Sequence, residues 1–172
     1  MSDRFVYDDG GRAAAGYKGH TRDCVTRAIA IACELDYQEV YDALNYAKSN
    51  PGKVHEKTRR MLAGTSARTG INKRTSRQFL EDLGWAWVPT MEVGTGCKVH
   101  LLREELPSGR IIAKCSRHLV AVIDGVIHDT HDSSYSRWSG AGKRCVYGIY
   151  YNPKEPGRIL GEINELRQRV KA

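Results

Sequence analysis

His118-Leu119-Val120-Ala121-Val122-Ile123-Asp124-Gly125-Val126-Ile127-His128-Asp129 reads as two short apolar runs separated by Asp-Gly. The favoured two-residue hairpin turn needs positive φ at both central residues, which Gly adopts freely and Asp tolerates. A symmetric turn pairs Ile123 with Val126, Val122 with Ile127, Ala121 with His128 and Val120 with Asp129. Side chains alternate along a strand, so Asp129 comes out on the same face as His118, two positions out of register. Two further runs rich in Ile, Val and Tyr flank this hairpin, Arg110 to Cys115 and Arg144 to Tyr151. With Trp85 to Pro89 they predict an antiparallel sheet in the C-terminal half.

The N-terminal half follows another period. Val25, Ala28, Ile29 and Ala32 fall at i, i+3, i+4 and i+7, which predicts a helix from about Asp23 to Cys33 with Asp23 as N-cap. Ile31 and Cys33 widen its apolar face, so this helix is expected at the centre of the domain, covered by other elements. Asp36, followed three residues later by Glu39, opens a second helix that ends at Asn50-Pro51-Gly52. Thr75 or Ser76 is the expected cap of a third, through Phe79, Leu80 and Leu83 to a stop at Gly84. Val99 to Leu106 reads as a short helix before Pro107-Ser108-Gly109. Helices first and an antiparallel sheet after them is the α+β pattern. The expected organisation is an N-terminal arm over 1–16, one α+β domain over 17–153 and a helical tail over 154–172, with Ile159, Ile163, Leu166 and Val170 at helical spacing.

The 172 residues suffice for one hydrophobic core, and 41% hydrophobic with 27% charged residues excludes a disordered chain. Net charge is +7. The charge is densest over 53–74 (Lys53, Lys57, Arg59, Arg60, Arg68, Lys73, Arg74), either a solvated face or a surface for an acidic partner. No base-reading motif accompanies it, so nucleic acid is not the expected partner. No apolar run is long enough for a membrane span and the first residues are polar, which points to a cytoplasmic protein without a signal peptide. The five cysteines are odd in number and scattered, without a CxxC pair, so neither a disulfide framework nor a zinc ribbon is expected. Gly94-Thr95-Gly96 lacks the Lys-Ser/Thr of a phosphate loop, and no cofactor is expected.

Cys24 is the candidate nucleophile. It follows the polar approach Gly19-His20-Thr21-Arg22-Asp23 and opens the central helix. A thiol there feels the positive end of the helix dipole, which lowers its pKa and raises its thiolate fraction. His118 is the candidate base, and Asp129 the carboxylate that would hold the imidazole through Nδ1–H and leave Nε2 for the thiol. The spacing in His128-Asp129-Thr130-His131-Asp132, with Cys145, suits zinc, but strand parity puts His128 and His131 on opposite faces, so no metal is expected. Trp85, Trp87, Trp138 and Tyr135 are candidates for a cleft wall or for core packing.

A Cys at the head of a central helix, then a His at the head of a strand and an Asp one strand on, resembles the papain-like cysteine-protease fold. Asp23 to Ala30, Leu83-Gly84-Trp85, Leu106 to Arg110, and Ser116 to Gly125 with Asp129 resemble a group of small papain-like proteins of bacteriophages and bacteria, over roughly residues 17–151. The resemblance implies a papain-like arrangement, with the Cys-bearing helix packed on the C-terminal sheet. It implies Cys24 as nucleophile, His118 as base and Asp129 as orienting residue. The papain pattern keeps a Gln six residues before the Cys, where this chain has Lys18, so the oxyanion hole would rest on the Cys24 amide with Lys18, His20 or Thr21. The implied activity is that of a thiol peptidase or amidase, working on a protein or peptide through a thioester. Two other readings compete: transglutaminase- or deamidase-type acyl transfer on glutamine side chains, and a catalytically silent module that binds a host or nucleic-acid partner through 53–74. A phage-encoded chain would act in the host cytoplasm.

Overall fold

Asp124 and Gly125 both adopt positive φ, 49° and 78°, and the turn they form sets the register of the strands on either side. In the computed structural model, which describes residues 4–135, 142–155 and 159–171, those strands are β4 (His118–Ile123) and β5 (Val126–Asp129). Ile123 pairs with Val126, Val122 with Ile127 and Ala121 with His128, the register expected of the turn. The other strands are β1 (Phe5–Tyr7), β2 (Ala86–Pro89), β3 (Arg110–Cys115) and β6 (Val146–Tyr151), in the spatial order β1-β5-β4-β3-β6-β2.

The fold is α+β, with five α-helices: α1 (Cys24–Cys33), α2 (Tyr37–Ser49), α3 (Glu56–Ala63), α4 (Lys73–Asp82) and α5 (Ile159–Lys171). Strand alternation sorts the sheet's side chains into two cores. Ile112, Leu119, Ala121 and Tyr150 pack with Val25, Ala28, Ile29 and Ala32 of α1, Val40 and Leu44 of α2, and Leu80 of α4. On the opposite face Ile111, Ala113, Val120, Val122 and Ile149 pack with Ile159, Ile163 and Leu166 of α5. The sheet is therefore covered on both faces, and α1 is the buried central helix that its wide apolar stripe predicts.

The structure departs from the sequence expectations at several places. The sheet is mixed, because β1 runs parallel to β5, with Phe5 opposite Ile127 and Tyr7 opposite Asp129. The segment expected as a separate arm over 1–16 thus contributes an edge strand, and Asp8 of the same segment bonds His128 at 3.1 Å. Val99 to Leu106 is not a helix beyond one short turn at Arg103–Glu105. Val99 and Leu101 are instead buried in an extended segment, tied to the next chain by Val146 N–H to Val99 O and Leu101 N–H to Arg144 O, each 2.8 Å. Helix α4 starts earlier than Thr75 or Ser76, because Asn72 accepts from the Arg74 amide and caps it.

Cys97 and Cys145 form a disulfide that joins this extended segment to the start of β6. Sequence reading predicts no disulfide framework, and it does not foresee this one bridge. Scattered spacing hides a single bridge, since the partners meet only through the fold. A disulfide belongs to oxidising surroundings, which pulls against the cytoplasmic expectation. No helix among the described residues is long and apolar enough to cross a membrane.

Candidate active site

Helix α1 packs on β4, and Cys24, its first residue, comes beside the open end of the β4–β5 hairpin. His118, the first residue of β4, and Asp129, the last of β5, are both buried there. Their side chains meet through His118 Nε2 and Asp129 Oδ2 at 2.6 Å. The tautomer is the reverse of the expected one: Asp129 takes Nε2, and Nδ1 is the nitrogen left for the thiol. His118 and the Leu119 N–H lie close enough to act on the Cys24 thiol.

Electrostatics follow from these contacts. Burial raises the Cys24 thiol's pKa, but His118, the Leu119 N–H and the charge of Arg27 outweigh it and bring the value below the ordinary 9.0. Burial lowers the His118 pKa, but Asp129 and the thiolate outweigh it and raise the value above 6.5. Asp129, despite burial, is held well below the usual carboxylate range by His118, the Thr130 amide and Arg27. The two shifts favour a thiolate–imidazolium pair. Burial alone pushes Cys33 up to about 12, and burial outweighs Arg144 and Lys114 to push Cys115 up to about 11.

Asp129 is itself held. Its Oδ1 accepts from Arg27 Nη2 at 3.0 Å, and Arg27 Nη1 donates to Asp23. Asp23 is fully buried and also accepts from Tyr37 Oη at 2.7 Å and Thr21 Oγ1 at 2.5 Å, with Arg12 Nε at 3.4 Å. These partners occupy the carboxylate, so Asp23, although it sits at the N-cap position, makes no side-chain cap on α1. The first-turn amides of α1 are left without a side-chain acceptor, beside the thiol. Sequence reading missed Arg27 and Tyr37. The i, i+4 spacing of Asp23 and Arg27 was a signal for their pairing, but nothing local links Arg27 to a residue 102 positions away.

Cys24 and His118 open on a cleft of about 740 Å³. His20 and Thr21 line it, whereas Lys18 does not; Lys18 is exposed, and its carbonyl accepts from Arg68 Nη2 at 3.2 Å. Of the oxyanion candidates, the Thr21 hydroxyl is already given to Asp23. Neither Trp85 nor Trp87 lines this cleft: Trp85 is core, and Trp87 packs on Tyr150 with ring centres 4.6 Å apart. Tyr135 is exposed, and Trp138 lies outside the described residues. His131 sits at the mouth with its ring 5.5 Å from that of His118. His118, Asp129 and His131 offer ligand atoms within 4.8 Å of one another, yet Asp129 is committed to His118 and Arg27, so a cation there would compete with the relay. No family profile, no curated protein and no solved structure matches the chain.

Proposed function

We propose that the chain is a papain-like cysteine hydrolase, a thiol peptidase or amidase, with Cys24 as nucleophile, His118 as base and acid, and Asp129 as orienting residue. The 2.6 Å contact between Asp129 and His118 Nε2 carries the reading, because it fixes the ring with Nδ1 towards a thiol of lowered pKa. His118 takes the Cys24 proton and the thiolate attacks the acyl carbon. As the tetrahedral intermediate collapses, the leaving amine takes the proton from His118 and the carbon–nitrogen bond breaks, which leaves a thioester. Water then attacks the thioester, His118 accepts its proton, and the carboxylic acid departs as the thiol reforms. The amides at the head of α1 are the donors best placed for the oxyanion.

p-Nitrophenyl acetate tests this without a known substrate. The expected result is a burst of nitrophenolate with acetylation of Cys24, then slow turnover, with His118→Ala losing both phases and Cys24→Ser showing neither. Equal acetylation of Cys24, Cys33 and Cys115 without turnover would overturn it. Turnover that only an added amine supports would move the assignment to acyl transfer.

A further inference from the structure

We propose that this cleft selects acidic peptides, reading carboxylate side chains beside the reacting carbonyl through Arg22, Lys114 and Arg117. The proposal rests on the assignment of Cys24 as nucleophile and adds the class of substrate to it.

Charge in the cleft is one-sided. No Asp or Glu is among the described residues that line it, while Arg12, Arg22, Arg27, Lys114 and Arg117 all do. Arg12 and Arg27 are neutralised by Asp23 and Asp129. Arg22, Lys114 and Arg117 have no ion-pair or side-chain hydrogen-bond partner among the described residues, so their charge is available to a ligand.

Two of these positions carry a cost that the fold does not explain. Lys114 is half-buried on β3, on the wall that it shares with Leu119. Burial pulls its pKa down, the nearby Cys24 and Cys115 partly restore it, and no carboxylate among the described residues pairs with the ammonium. A desolvated cation of this kind is stabilised when a bound anion supplies the counter-charge. Arg117 lies in the Ser116-Arg117 turn between β3 and β4, next to His118, with φ at 52°. Glycine occupies that region without penalty and a long side chain does not, so the backbone is held against its preference where it places a guanidinium at the cleft rim.

The basic run over 53–74 is a different surface: of it, only Thr69, Gly70 and Ile71 line the cleft, and none is charged. A volume of about 740 Å³ accommodates a few residues of extended chain.

The test uses a pair of peptidyl vinyl sulfones of equal length, one with two Glu residues and the other with Gln at the same positions. Labelling of Cys24 is followed by mass spectrometry at low and high salt. The Glu probe is expected to react about tenfold faster at low salt, and the advantage to shrink as salt rises. Lys114→Gln and Arg117→Gly are each expected to cut the Glu/Gln ratio about threefold, whereas Lys57→Gln, which removes the same charge from α3, leaves it unchanged. Arg117→Gly relieves the turn, so a lost ratio there is not a lost fold. Equal rates for the two probes, with Cys24 labelled, would overturn the acidic-peptide proposal and leave the nucleophile standing. Labelling of Cys24 by neither probe, nor by iodoacetamide at neutral pH, would overturn both. Loss of the Glu preference on adding a micromolar single-stranded oligonucleotide would make nucleic acid the occupant and overturn the proposal.

Discussion

Arg27 Nη2 donates to Asp129 Oδ1 at 3.0 Å, while the other oxygen of the same carboxylate holds His118 Nε2 at 2.6 Å. A buried guanidinium on the nucleophile's own helix thus fixes the carboxylate that fixes the base. Arg27 acts through Asp129 and is a positioning residue. Arg27→Lys keeps the charge but cannot fork between Asp23 and Asp129. Its expected effect is a stability loss of about 2–4 kcal/mol, since a buried carboxylate loses a partner. Iodoacetamide labelling of Cys24 at pH 7 should also slow, with the pH midpoint moved upward. A variant with the lower melting temperature but an unmoved midpoint would make Arg27 purely structural.

The reactivity of Cys24 should follow a pH profile whose sign is fixed by its partners. In the wild type the thiol's pKa lies below 9.0, so the alkylation rate should reach half its plateau below that pH. His118→Ala removes the largest contacts that lower it and leaves the burial that raises it, with only the Leu119 N–H and Arg27 still opposing, so the midpoint should move upward and the rate at pH 7 fall by about tenfold. Catalysis needs the imidazolium as well, and is lost as pH rises through a His118 pKa that lies above 6.5. Asp129→Asn weakens that imidazolium, so the alkaline limb of the activity profile should shift to lower pH. Coincident wild-type and His118→Ala profiles would refute the pairing.

Reduction of Cys97–Cys145 should lower stability without silencing the site. The bond closes 48 residues of chain, which corresponds to about 4 kcal/mol of unfolded-state entropy in the loop-closure picture. For a chain of this size that is about 10 °C in melting temperature. Neither sulfur lines the cleft, so Cys24 labelling should persist in the Cys97→Ser/Cys145→Ser variant. Calorimetry beside a thiol count decides it: an unchanged melting temperature with both thiols open would mean that the bridge constrains nothing.

What could be read from the chain follows the range of the interactions. The β4–β5 register is local, written by Asp124-Gly125 and two alternating runs, so the His118–Asp129 face could be read directly. Helix α1 is local too, because its stripe repeats within ten residues. β1 could not be read, as three residues give no alternation to count and their partner strand lies over a hundred residues on. Val99 and Leu101 stand two apart, the strand period, but two residues are too few to separate an extended segment from the short helix expected over Val99 to Leu106. The imidazole tautomer depends on how the ring sits between α1 and β5, which no spacing encodes.

The edge strand β1 ties the N-terminal segment to the orienting carboxylate. β1 holds β5 by Ile127 N–H to Arg4 O at 2.8 Å, and Asp8 N–H bonds the Asp129 carbonyl at 2.9 Å. The backbone of the orienting carboxylate is thus anchored by the segment over 4–8, and Tyr7 also lines the cleft. Deletion of residues 1–8 removes two or more backbone bonds to β5 and its flank, at about 1 kcal/mol each, and leaves β5 as an open edge. The truncated chain should melt lower and label Cys24 more slowly at pH 7, with its pH midpoint shifted upward as Asp129 loosens. Asp8→Ala separates the two effects. It leaves the strand's backbone bonds in place and removes the half-exposed Asp8–His128 contact and the Gly10 N–H bond to Asp8 Oδ1, so it should cost about 1 kcal/mol and leave the midpoint where it was. If the truncation lowers the melting temperature while Cys24 keeps the wild-type midpoint, the N-terminal strand serves the sheet alone and Asp129 is held sufficiently by Arg27.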